Sequence, residues 1–129
     1  MVDRATRKEI LGALGTVPSF IDRAPPGTGE NFWATMRDLQ LAETEIPGKY
    51  KELIGLAVSA ATRCKYCTFF HTEAAKLHGA NQAEIAEANA MAAWTMAAST
   101  FLNGAQVDDA QFRKETLAIL DHVRGHASA

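Results

Sequence analysis

The chain has only two cysteines, Cys64 and Cys67, set three positions apart. A bond between thiols so close closes almost no loop, so it constrains little of the unfolded chain and makes a poor structural staple. No run of about 18 apolar residues is present, so no membrane-spanning helix is expected. Positive charge is not in excess either. Lys and Arg number 13 against 15 Asp and Glu, a net charge of −2, which argues against a nucleic-acid-binding domain. The opening stretch Met1–Glu9 is charged and lacks the apolar segment of a secretory leader, so the cytoplasm is the expected location. Thiols stay reduced there, which leaves chemistry, metal binding or simple packing for the two cysteines.

The 129 residues suit one domain, spanning 1–129, and 47% apolar content is enough for a core. Strand-like alternation is lacking while Ala, Leu, Glu, Lys and Met dominate, so the fold class is all-α with about six helices. The first covers 3–14 and stops at Gly15 and Val17-Pro18; Ser19 to Ile21 adds a turn. Arg23 to Gly29, with two prolines and two glycines, reads as a loop. A second helix follows at 30–43. Pro47 suits a first-turn position and opens an apolar helix over 47–62, uncharged from Leu53 to Ala61 and expected to be buried nearly all round. The next runs from 64 to 78, with Gly79 as its left-handed cap. Asn81 and Glu84 form a capping-box pattern ahead of a helix at 82–101. Asn103-Gly104 turns the chain, and the last helix starts at Asp108 or Asp109 and stops at Gly125. His126 to Ala129 reads as a frayed tail.

Between Pro47 and His78 no strong breaker occurs, and propensity alone allows one long helix. A break near Thr62–Cys64 is placed there for a chemical reason. The thiolate is the reactive form of cysteine, and the first turn of a helix favours it because unpaired N–H groups point at the sulfur. A helix starting at Cys64 puts both sulfurs in that turn, with Arg63 and Lys65 adding positive charge. Side chains at i and i+3 sit about 5–6 Å apart, close to the spacing a disulfide needs. His71 lies one turn past Cys67 on the same face and can take its proton. On this geometry Cys67 is the better-activated nucleophile and Cys64 the resolving thiol. Two readings stay open beside it. The cysteines could be packed hydrophobes, or Cys64, Cys67 and His71 could hold zinc with His78 as the near fourth ligand.

The run Glu52-Leu53-Ile54-Gly55-Leu56-Ala57-Val58-Ser59-Ala60-Ala61-Thr62-Arg63-Cys64-Lys65-Tyr66-Cys67-Thr68-Phe69-Phe70-His71 resembles the core motif of the AhpD-like alkylhydroperoxidases of the carboxymuconolactone decarboxylase superfamily. Glu, eleven residues, Cys, two residues, Cys, three residues and His match in type and spacing, and the resemblance covers roughly 35–120. It implies an all-helical fold assembling as a trimer or hexamer. It implies peroxide reduction, with Cys67 peroxidatic, Cys64 resolving, His71 and Glu52 forming a proton relay, and no bound cofactor or metal. Where some members have a second histidine, this chain has Tyr66.

The expected function is therefore a thiol-dependent hydroperoxide reductase or disulfide oxidoreductase. Its partners would be a hydroperoxide, an external dithiol or thiol-protein reductant, and copies of itself. The alternatives are a decarboxylase or lactone-processing enzyme on the same scaffold, and a non-enzymatic oligomeric or zinc-binding helical module. By position alone Glu52 reads as a solvated carboxylate within reach of Lys49 or Lys51. His78 reads as a cation at a helix end, and Met91, Trp94 and Met96 as core or subunit contact.

Overall fold

Asp3 accepts a hydrogen bond from the Thr6 backbone N–H and caps the first helix, α1 (Arg4–Leu14), which Gly15 closes at φ 71°. The computed structural model describes residues 1–127. After α1 come a 3₁₀ turn (Ile21–Arg23), α2 (Thr28–Thr35), a π-helical turn (Met36–Leu41), α3 (Gly48–Ala61), α4 (Lys65–Leu77), α5 (Gln82–Gly104) and α6 (Asp109–Ala127). No strand occurs among the described residues, and the six α-helices follow the order read from the sequence. None of them is long and apolar enough to cross a membrane.

Helix ends follow the chemistry of their caps. Asn81 and Glu84 make the expected capping box at the start of α5. The ends of α3, α4 and α5 share one motif. A left-handed residue donates its N–H to the carbonyl three residues back, and the next residue donates to the carbonyl five residues back from itself. Gly79 at φ 87° does this for α4, with the Ala80 N–H bonding to Ala75 O at 2.9 Å. At the other two ends the left-handed residue is Arg63 (φ 59°) and Gln106 (φ 53°). The turn expected at Asn103-Gly104 therefore falls later, and α5 absorbs both residues.

Three other expectations are corrected. Gly29 lies inside the first turn of α2, not in a loop, because the helix approaches Val2 and Ile21 too closely for a side chain: a Cβ there would meet Val2 Cγ1 at 2.6 Å. Gly125 does not stop α6, which continues to Ala127; one glycine costs a helix only about 1 kcal/mol relative to alanine. And α3 is not buried all round. It turns Glu52, Leu56 and Ser59 inward, at i, i+4 and i+7, while Ile54 and Val58 on its other side stay half exposed.

Two apolar clusters hold the chain together. Val2, Ile10, Ile21 and Trp33 join α1 to α2, with the Trp33 indole N–H donating to Glu9 at 2.8 Å. Leu56, Ala75, Ala80 and Ile85 join α3, α4 and α5. Beyond these the chain is open. Met91, Trp94 and Met96 of α5 are each half exposed or more, so they are not core of this chain. Phe112, Ile119, Leu120 and Val123 lie along one stripe of α6 and are also exposed. The accessible surface is 9685 Å². A folded monomer of 13.9 kDa is expected to expose roughly 6,700 Å².

Candidate active site

The break between α3 and α4 falls where the chemistry of the cysteines asks for it. Thr62 caps α3, Arg63 takes the left-handed position, and the Cys64 N–H bonds back to Ser59 O at 2.9 Å. Cys64 then becomes the N-cap of α4, a place usually held by Ser, Thr, Asn or Asp. Its sulfur accepts the Cys67 backbone N–H at 3.2 Å. Both cysteines are free thiols, Cys64 half-buried and Cys67 exposed.

This cap separates the two thiols electrostatically. Hydrogen bonding from the Cys67 thiol, then from the Cys67 backbone N–H, draws Cys64 below the ordinary thiol range. Cys67 moves the other way, because its proton is held between the sulfurs and burial opposes its charge. The cap thus favours negative charge on Cys64 over Cys67. Spacing to His71 assigns the greater activation to Cys67 instead; spacing takes no account of a sulfur that is itself a helix cap.

One turn on from Cys67, His71 directs Nδ1 at Glu52 Oε2, 2.6 Å away. Glu52 is 1% exposed and, with Ser59, one of two buried polar residues among those described. Neither Lys49 nor Lys51 pairs with it. Lys49 reaches Glu84 at 2.8 Å, and Lys51 donates to Leu39 O and Ala42 O. The solvated reading of Glu52 is thus overturned: its backbone position turns it inward onto α4. A carboxylate facing Nδ1 fixes the ring proton there and leaves Nε2 to accept. A second bond ties α4 to α3, from the Thr68 hydroxyl to Ser59 Oγ at 3.3 Å.

The four candidate residues thus form two contacts, Cys64 with Cys67 and Glu52 with His71, mounted on one helix and its neighbour. No hydrogen bond joins the ring to either sulfur; helical spacing brings Cys67 and His71 to about 5–6 Å between Cβ atoms. His78, the possible fourth zinc ligand, is exposed at the far end of α4 with its ring against Gly48. No group of three or more His, Cys, Asp or Glu able to hold a metal ion occurs among the described residues.

Two contributors escape the motif. Gly55 faces the His71 imidazole so closely that a Cβ would lie 2.5 Å from Nδ1 and 2.6 Å from Nε2. A glycine in the middle of an apolar helix is the signal that marks such a close approach. Gln40 donates from Nε2 to Glu52 Oε1 at 3.1 Å. Nothing in its sequence context marks it, because a π-turn aims it.

Residues 29–110 match the model of the carboxymuconolactone decarboxylase family. Among solved structures, the alkylhydroperoxidase AhpD core from Rhodospirillum rubrum superposes with a TM-score of 0.73 at 25% identity, covering 84% of each chain. A protein from Methanobacterium thermoautotrophicum superposes with a TM-score of 0.59 at 33% identity, over 67% of this chain and 96% of that one. No curated protein matches. With the family's model spanning more than half its length and an AhpD core sharing its helices, the chain belongs to the carboxymuconolactone decarboxylase family and is AhpD-like in fold.

Proposed function

We propose that the chain is a thiol-dependent hydroperoxide reductase working through Cys64 and Cys67. The observation that carries this reading is the capping sulfur: Cys64 accepts the Cys67 N–H at the opening of α4, with an imidazole–carboxylate pair one turn away. The Cys67 sulfur attacks the terminal oxygen of a hydroperoxide. The O–O bond breaks, and the thiol proton passes through His71 Nε2 to the departing alkoxide, giving an alcohol and Cys67 sulfenic acid. Cys64, already favoured as thiolate, then attacks the sulfenic sulfur, which expels hydroxide; with one proton this leaves as water and a Cys64–Cys67 disulfide remains. Two electrons and two protons from an external dithiol or thiol protein restore the thiols. The chemistry uses side chains alone. Two shallow grooves flank the site, one of about 500 Å³ beside Arg63, Lys65, Thr68 and Phe69 and one of about 530 Å³ beside Leu39, Ile54 and Gly55. Their largely apolar linings suit an organic hydroperoxide.

Peroxide consumption with a dithiol donor tests the scheme. Cys67→Ser abolishes turnover, and Cys64→Ser traps a sulfenic acid on Cys67, detectable by mass spectrometry after one equivalent of peroxide. A rate untouched by Cys67→Ser removes the proposal. One observation favours the reverse order of sulfurs. The cap draws Cys64 below the ordinary thiol range, and if Cys64 attacks first, the sulfenic acid is trapped in Cys67→Ser instead. Activity that survives alkylation of both thiols would point to decarboxylase or lactone chemistry on the same scaffold. We also assign the open stripe of α6 and the exposed half of α5 to contact with further copies of the chain, a trimer or hexamer. The surface, larger than a monomer's by roughly 3,000 Å², supports this, since obligate assemblies bury about 2,000–5,000 Å². The expected site of action is the cytoplasm, whose dithiol pools would supply the reductant.

A further inference from the structure

Gln40 occupies an unusual place. The helix that begins at Thr28 widens into a π-turn over Met36–Leu41, closed by a bond from the Ala42 N–H to Arg37 O at 3.0 Å, five residues back. One extra residue in a turn rotates the residues after it by about 100° relative to an α-helix. Gln40 lies on this widened turn, and its amide reaches across to α3. Nε2 donates to Glu52 Oε1 at 3.1 Å and stands 3.5 Å from Oε2, the oxygen that faces His71. The neighbouring residue of α3 grips the same turn: Lys51 Nζ donates to Leu39 O at 2.7 Å and to Ala42 O at 2.9 Å. Lys51 and Glu52 thus hold the π-turn on both sides of Gln40. On its outer side Gln40 lines the groove beside Gly55, so it also stands between solvent and a carboxylate that is 1% exposed.

A buried carboxylate has about four lone-pair positions to satisfy, and an unsatisfied one is costly. The imidazole meets one oxygen and the Gln40 amide meets the other, so the carboxylate cannot swing out of its plane without weakening both bonds. We propose that Gln40 is a positioning residue for the Glu52–His71 pair, its π-turn presenting an amide that holds the carboxylate in line with Nδ1 and so keeps the ring proton on that nitrogen. The proposal rests on the relay reading of that pair, and it assigns Gln40 no contact with substrate. The charged and titratable groups around it are Glu52 and Lys51 on α3, His71 on α4, Glu45 in the same groove, and Arg37 and Asp38 on its own turn, these two bonded at 2.6 Å with Arg37 also paired to Glu9.

The test is spectroscopic, so it does not depend on what the enzyme reduces. With ¹⁵N-labelled histidine, the neutral His71 ring in the unaltered protein is expected in the Nδ1–H form. Gln40→Met keeps the length and flexibility of the side chain and removes the donor. It is expected to shift the ring towards a mixture with the Nε2–H form, and to lower kcat several-fold at unchanged KM if the peroxidase reading holds. Glu52→Gln alone should produce the mixture, and adding Gln40→Met to it should change nothing further. A folded Gln40→Met protein that keeps the Nδ1–H form overturns the proposal. So does a tautomer change of the same size in the Glu52→Gln background. Should Gln40→Met fail to fold, the unaltered chain still decides. Its Gln40 side-chain amide signals must move in step with the His71 ring signals as pH is varied, and independent movement overturns the assignment. If the tautomer behaves as expected while peroxide is never consumed, the peroxidase reading fails and this one stands.

Discussion

At the scale of single residues, the site depends on what is missing at one position and what is buried at another. Gly55 has no side chain, and that void lets the imidazole of His71 lie against α3 and meet Glu52. Gly55→Ala places a methyl 2.5–2.6 Å from two ring nitrogens. The ring has to move, at a cost of about 1–3 kcal/mol for overpacking, and it loses its 2.6 Å bond to Glu52. Thermal unfolding should show the loss in stability, and turnover should fall by at least tenfold. The thiols give a second outcome. Cys64 lies below the ordinary thiol range and Cys67 above it, and a thiolate reacts where a thiol does not. Alkylation followed against pH should rise in two steps, Cys64 reacting first, below the range of an ordinary thiol, and Cys67 only at higher pH. Peptide mapping of a partly alkylated sample checks the order.

Elements show why some of this is readable from the chain and some is not. Caps are local, so Gly15, Gly79 and the Asn81–Glu84 box announce their helix ends. The Glu-Cys-Cys-His spacing is equally legible, because helical periodicity converts it into a face. What escapes depends on other elements. The π-turn has no local code here, and the inward aim of Glu52 comes from where α4 docks rather than from residues 49–55. The α3–α4 break lies where thiol chemistry asks for it, yet its geometry hides a strain: Arg63 sits at φ 59°, a conformation that favours glycine. A side chain there costs about 1–2 kcal/mol. Arg63→Gly should therefore raise the stability of the reduced protein by about 1 kcal/mol in urea unfolding, while removing a positive charge next to Cys64. A destabilised Arg63→Gly protein would mean that the arginine side chain makes up for its backbone.

For the whole molecule, the decisive quantity is how little of it lies inside. The largest buried side chains are Trp33, Ile10, Ile21, Leu56 and Glu52, and the last of these serves chemistry rather than packing. Helices α5 and α6 carry most of their apolar residues outward, and the sequence could not say so, since an apolar stripe reads alike whether its neighbour is the same chain or another. Ile119→Glu with Val123→Glu, both more than half exposed, should convert the proposed assembly to single chains in light scattering. Each substitution alters an exposed position of the isolated chain, so helical content should persist. With so thin an interior, the assembly proposed above would have each copy borrow part of its core from its neighbours, and mass action would then govern folding as it governs binding. Dilution should act on this protein as heat does on self-sufficient ones, with a melting temperature that climbs as more protein is added.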